Sequence, residues 1–273
     1  MISDEDVKQL FQKKLDTPDI LTGLVAHGRA NAGFRLANNF MMQVFRGLPS
    51  HLWKDTHPAG CLRHKTVVNT FGVIPKYCFD CYKVLISPRT VVELFKLLMI
   101  FEKLALPNDN PRKCMAERRD YCTGTYKGFI YCRGMEDAKE VSRIVREVIA
   151  EDIAPEIPVT TVRGCSEFAK YQPEYARISP GAVLMQYNKG WQFYEDFVDE
   201  NFIIDKSAYI PELTASDKAA YPAWEIFAMQ YWLRYAATIG DTSYVTIAGK
   251  TLPPMPGLKR PPFMATAPLA IFR

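Results

Sequence analysis

Between Tyr77 and Val162 the apolar pattern changes period in a set order, and that order limits the folds open to the chain. Tyr77–Ile86 alternates as a strand does, and Pro88–Leu106 then spaces Val91, Leu94, Phe95, Leu98 and Phe101 for one face of a helix. Pro107-Asn108-Asp109-Asn110-Pro111 is a turn. Arg112–Arg119 and Thr125–Arg133 read as two strands around Tyr121-Cys122-Thr123-Gly124, Met135–Ile153 as a helix and Ile157–Val162 as a last strand.

The order β-α-β-β-α-β predicts an α+β protein with a ferredoxin-like core over 78–170, an antiparallel sheet with two helices on one face. Residues 1–47 form an N-terminal helical segment in this reading. One helix starts at Asp4 behind Ser3, and a second starts at Thr17-Pro18 and runs through Phe45 to the stop at Gly47-Pro49, with Gly28 and Gly33 as places where it can divide. Residues 48–77 read as loop-rich, because Pro49, Pro58, Gly60, Gly72 and Pro75 interrupt any period. Residues 171–273 are aromatic-rich and predicted to pack on the core. Their clearest element is a helix over Ala223–Ile239, entered through Pro222 and left through Gly240. Six prolines in 252–268 predict an extended tail.

A composition of 48% hydrophobic and 23% charged residues over 273 positions excludes disorder, a collagen-like repeat and a disulfide miniprotein. The longest apolar stretches, near Val91–Leu98 and Leu94–Phe101, are broken by Glu93, Lys96 and Glu102, so no membrane span is expected. The opening Met1-Ile2-Ser3-Asp4-Glu5-Asp6 is acidic and polar where a secretory signal is basic and then apolar, which predicts a cytoplasmic chain. In that compartment seven cysteines suggest thiols or metal ligands.

Cys61-Leu62-Arg63-His64 and Cys78-Phe79-Asp80-Cys81 are two ligand pairs with two residues inside each. Three thiolates and an imidazole at Cys61, His64, Cys78 and Cys81 make a closed tetrahedral set for one structural zinc ion, which would staple the loop-rich segment. The same cysteines can instead be buried filling. A cluster reading recruits Cys114 and Cys132, but the spacing fits no iron–sulfur pattern. A redox dithiol at Cys78 and Cys81 lacks the strand-to-helix setting that such a motif uses.

Charge is unevenly spread. Residues 51–134 carry a net +7 and residues 135–273 a net −4, so the basic middle predicts an anionic partner, RNA or single-stranded DNA foremost. Alternation puts Lys127, Phe129 and Tyr131 on one face of their strand, where bases could stack on the rings while Lys127, Lys113 and Arg119 meet phosphates. Lys127-Gly128-Phe129-Ile130-Tyr131-Cys132 resembles the first half of the sheet motif of RNA-recognition motifs. It departs at Ile130, where Gly or Ala is usual, and at Gly134, where an aromatic is usual. If another part of the chain covers that face, Phe129 and Tyr131 are core.

No nucleophile elbow, P-loop, dinucleotide fingerprint or zinc-protease motif occurs. The best catalytic candidate is Arg163-Gly164-Cys165-Ser166-Glu167, a glycine turn that can bind an anion at Arg163 or present a thiolate at Cys165. Two functional expectations result. The first is a zinc-stapled protein that binds an anionic partner through its basic middle. The second is an enzyme with an aromatic-lined small-molecule pocket between the sheet and the C-terminal portion, using the metal or Cys165.

Overall fold

The structure is a computed structural model that describes residues 17–30, 51–54, 61–117, 122–202, 223–247 and 249–255. The protein is mixed helix and sheet. Five strands form one antiparallel sheet: β1 (His51–Lys54), β2 (Cys81–Ile86), β3 (Arg112–Ala116), β4 (Tyr126–Arg133) and β5 (Val159–Arg163), in the order β1-β3-β4-β2-β5. Among the described residues no helix is long and apolar enough to cross a membrane. The helix starting at Asp4, the continuation of the second helix beyond Ala30, and most of the proline-rich tail lie outside the described residues.

β2 and β5 begin later than their apolar patterns suggest, each for a local reason. Lys76–Asp80 coils as a 3-10 turn before β2 begins, and it buries the neighbours Cys78 and Phe79 together. β5 starts after Pro158, which has no N–H to give a ladder.

The helix side of the sheet holds Tyr82, Val84, Ile86, Cys114, Ile130 and Cys132 in one large core. Helix α1 (Thr17–Ala30) brings Ile20, Leu21, Leu24 and Val25 to it. Helix α3 (Val91–Lys103) brings Leu94, Leu97, Leu98 and Phe101, and the Thr90 hydroxyl caps it by accepting from the Glu93 N–H at 3.2 Å. Helix α4 (Gly134–Asp152) presents Ala138, Val141, Val145 and Ile149, one helical stripe. At Gly128 the α3 side chains press close on the sheet: a Cβ there would run into the Leu97 side chain and lie 3.2 Å from Phe101.

The segment 48–77 is not all loop. Helix α2 (Cys61–Phe71) fills its second half, because the breakers Pro58, Gly60, Gly72 and Pro75 all fall outside those bounds and Val67 and Val68 can be buried. Gly72, at φ +66°, ends the helix by donating to the Val68 carbonyl. β1 adds itself to the edge of β3, His51 opposite Met115 and Lys54 opposite Arg112. Helix α5 (Gln192–Asn201) lies against α2, tied by Arg63 to Glu195 at 2.8 Å and to Asp199 at 2.5 Å.

Helix α6 (Ala223–Ile239) is buried around most of its girth, as its pattern predicts. It joins the helix layer, with Trp232 edge-on to Phe95 at 5.5 Å, instead of covering the other face of the sheet. Asp241 just beyond it accepts from the Val91 N–H and from the Tyr126 hydroxyl.

Candidate functional site

The outer face of the sheet, opposite α3 and α4, is lined by residues that few cores contain. Register sets Lys83 opposite Tyr131 across β2 and β4, and Lys113 opposite Phe129 across β3 and β4. The Lys83 ammonium is 5.0 Å from the Tyr131 ring and 5.8 Å from the Phe129 ring. Lys113 approaches the same two rings at 5.9 and 5.3 Å. Two cations thus share one aromatic pair, in the distance range where ring quadrupoles attract them.

The turn after β5 brings a thiol to this place. Gly164, at φ +56°, donates to the Cys81 carbonyl and then bends the chain, leaving no room for a side chain beside the Tyr175 hydroxyl. Cys165 follows, and Lys83 Nζ donates to its Sγ at 3.2 Å. Cys61, at the first turn of α2, and Cys81, at the start of β2, lie within electrostatic reach of Lys83 and Cys165. Lys65, one turn along α2, reaches both Cys61 and Lys113.

Burial divides the two lysines. Lys83 is only 6% exposed; burial opposes its charge, but the facing Cys165 sulfur, Tyr131 and Cys81 outweigh this and hold it above the ordinary lysine value. Lys113 is half-buried and is pushed down to about 7, first by burial and then by the positive charge of Lys83. Burial also raises the Tyr131 phenol and the Cys61 thiol, and raises Cys81 to about 11.

Of the four residues read as a zinc set, Cys61, Cys78 and Cys81 lie within electrostatic reach of one another and of Cys165. Cys78 is buried with Val68, Ile74, Phe79, Phe168 and Tyr175 in a second core, against which Cys165 also packs. Burial there pushes the Cys78 thiol far up. His64 is buried, stacks on Tyr77 at 5.3 Å, and is lowered by burial and by neighbouring Arg63. Among the described residues no group of three or more His, Cys, Asp or Glu side chains is placed to hold a metal ion.

Other basic residues of the middle region have internal work. Lys127 pairs with Glu117 at 3.1 Å, both buried. Arg112 is 1% exposed and gives its guanidinium to the Leu104, Phe101 and Asn110 carbonyls, closing the C-terminal end of α3. Arg163 is also buried; it donates to the Phe79 and Met185 carbonyls and lies about 5 Å from the Phe79 and Tyr175 rings, pinning the second core to β5. Arg119 lies outside the described residues. Sequence reasoning did not single out Lys83; its signal was a lysine at an alternating position of a strand whose neighbours are apolar.

A groove of about 580 Å³ opens elsewhere, between α1, α3 and α4, lined by Met99, Ile100, Lys103, Val148 and Asp152 among others. It is on the helix side and touches none of the outer-face residues. Compared with protein families, curated proteins and solved structures, the chain matches none.

Proposed function

We propose that the chain is an enzyme acting on a small anionic molecule at the outer face of a ferredoxin-like core, with Lys83 and Lys113 as the anion-binding groups, Phe129 and Tyr131 as the floor, and Cys165 as the thiol offered to the ligand. The observation that carries this reading is the hydrogen bond from Lys83 to Cys165, made on a face that also holds a second lysine. The lysine fixes the sulfur on the same face as the second lysine, where a ligand held by the ammonium groups would meet it. The strand order of β2 to β5, with α3 and α4 on one side, supports the ferredoxin-like frame. The packing of α6 in the helix layer supports an outer face that the aromatic C-terminal helix leaves to other uses.

A small ligand suits this face better than a nucleic-acid strand. Base stacking needs open ring faces, and Phe129 and Tyr131 are half-buried with an ammonium near each. Two charges of the basic middle, Lys127 and Arg112, are also committed within the protein.

The test is the rate at which iodoacetamide alkylates Cys165, followed by peptide mass mapping. Pyruvate and inorganic phosphate are each added as competitors, and a single-stranded oligonucleotide is added separately. Protection by a small anion at millimolar concentration, lost in Lys83→Met, is the expected result. Protection by the oligonucleotide alone would replace this reading with a nucleic-acid interface.

A further inference from the structure

We infer that the groove between α1, α3 and α4 is a binding site for a free fatty carboxylate, its acyl chain lying on Met99, Ile100, Leu104 and Val148 and its anionic head held by Lys96 or Lys103. The groove shares no residue with the outer face, so this ligand is additional to the small anion proposed there. Helix α3 turns Val91, Leu94, Leu97, Leu98 and Phe101 to the core. Lys96, Met99, Ile100 and Lys103 follow one another at i, i+3, i+4 and i+7, a second stripe of the same helix, and all four line the groove. A helix that has buried one face normally shows solvent a polar one. This second stripe instead has an apolar middle and a cation at each end, with the lysines about 10 Å apart along the axis.

The lining selects the class of ligand. Leu104 extends the apolar surface past the end of α3, and Val148 on α4 and Pro18 on α1 add to it. The lining has no aromatic ring for a flat ligand to stack on, and no hydroxyl or amide side chain to pair with a sugar or a nucleobase. A flexible aliphatic chain needs neither, and the unbranched Met99 side chain can adapt to it. The volume of about 580 Å³ falls within the roughly 300–1,000 Å³ that small-molecule sites occupy.

Charge selects the head group. On α4 the exposed cations are matched by carboxylates one turn away, Lys139 by Glu136 and Arg143 by Glu140 and Glu147. Among the described residues Lys96 and Lys103 have no such partner. Asp152, at the end of α4, is the single carboxylate of the lining, which leaves the groove with a net positive charge. An anionic head is therefore attracted and a cationic one repelled.

The full chain is titrated by calorimetry with decanoate and, separately, with decyltrimethylammonium, each below the concentration at which it forms micelles. One decanoate per chain is expected, bound roughly tenfold or more tightly than the cation. Lys96→Glu combined with Lys103→Glu should weaken decanoate by about tenfold, since partly screened ion pairs are replaced by repulsion. Lys139→Glu combined with Lys189→Glu changes the net charge equally at exposed positions outside the groove and should bind decanoate as the parent does, with circular dichroism showing both variants folded. Equal affinity for the two amphiphiles, an equal loss in both double variants, or no binding of either amphiphile would overturn the site. Decanoate that shields Cys165 from alkylation would place the ligand on the outer face and overturn it as well.

Discussion

The Lys83 ammonium sits 3.2 Å from the Cys165 sulfur, although 82 residues separate them along the chain. The contact depends on a strand position that aims Lys83 away from the helices and on a glycine turn that folds Cys165 back toward it. If Lys83 holds the Cys165 sulfur, Lys83→Met should change the rate of iodoacetamide alkylation of Cys165 at pH 7 by about threefold or more. An apolar replacement at a buried lysine is tolerated better than a shortened one. An unchanged rate in a folded variant would mean that the contact has no chemical effect.

Lys113 gives the fold a pH dependence with a definite sign. Its folded value of about 7 is below that of the unfolded chain, near 10.4. Between those values the unfolded state holds a proton that the folded state lacks, so this group makes stability rise with pH across that window and weighs on the fold most below pH 7. Lys113→Met should therefore be more stable than the parent at pH 6, by about 1 kcal/mol or more, with the gain shrinking toward pH 9.5. Urea unfolding at the two pH values measures this, and an equal difference at both would show an ordinary lysine.

Lys127 and Glu117 form a buried pair, so removing one partner strands the other. Lys127→Ala should cost about 3–5 kcal/mol, and Lys127→Met combined with Glu117→Leu should recover most of it. A surface lysine that only met phosphates would show neither effect, and urea titrations of the three proteins separate the cases.

Gly164→Ala should destabilise the protein and loosen Cys165 together. A methyl group would collide with the Tyr175 hydroxyl, which donates to the Cys78 carbonyl, and the φ of +56° is strained for alanine. A loss of about 1–3 kcal/mol is expected. Loss of the Lys83 dependence of Cys165 alkylation should accompany it. A variant with parental stability would sink the account of this turn.

Cys78 sits in an apolar core, and Cys78→Ser would bury a hydroxyl there. A cost of about 1–3 kcal/mol is expected, the same with and without EDTA. A cost that disappears once EDTA is added would instead support a zinc ion shared by Cys61, His64, Cys78 and Cys81, and elemental analysis of the purified protein would count it.

Much of the frame was legible because it depends on local periodicity. The stripe of Val91, Leu94, Leu98 and Phe101 makes a helix with one face to bury wherever it sits, and the alternation of Tyr82, Val84 and Ile86 gives β2 one apolar face. The helix over Ala223–Ile239 was bounded by its proline and glycine neighbours. Helix α2 was hidden, since proline and glycine crowd both of its ends and its interior carries a weak apolar stripe.

The chemistry was harder to read, because it depends on contacts between distant residues. Basic side chains look alike in a sequence, and a count of charges treats Arg112, Lys113 and Lys127 as one cluster. Packing separated them: Arg112 turns to the end of α3, Lys127 finds Glu117, and Lys113 stands beside Lys83 over two rings. Local periodicity already settled which residues form strands and which face of each is apolar, since those preferences act over a few positions. Which lysine keeps its charge, and which cysteine it meets, was decided only when the sheet closed and the turn after β5 folded back, because electrostatic energies depend on distances and burial that strands far apart in sequence create together.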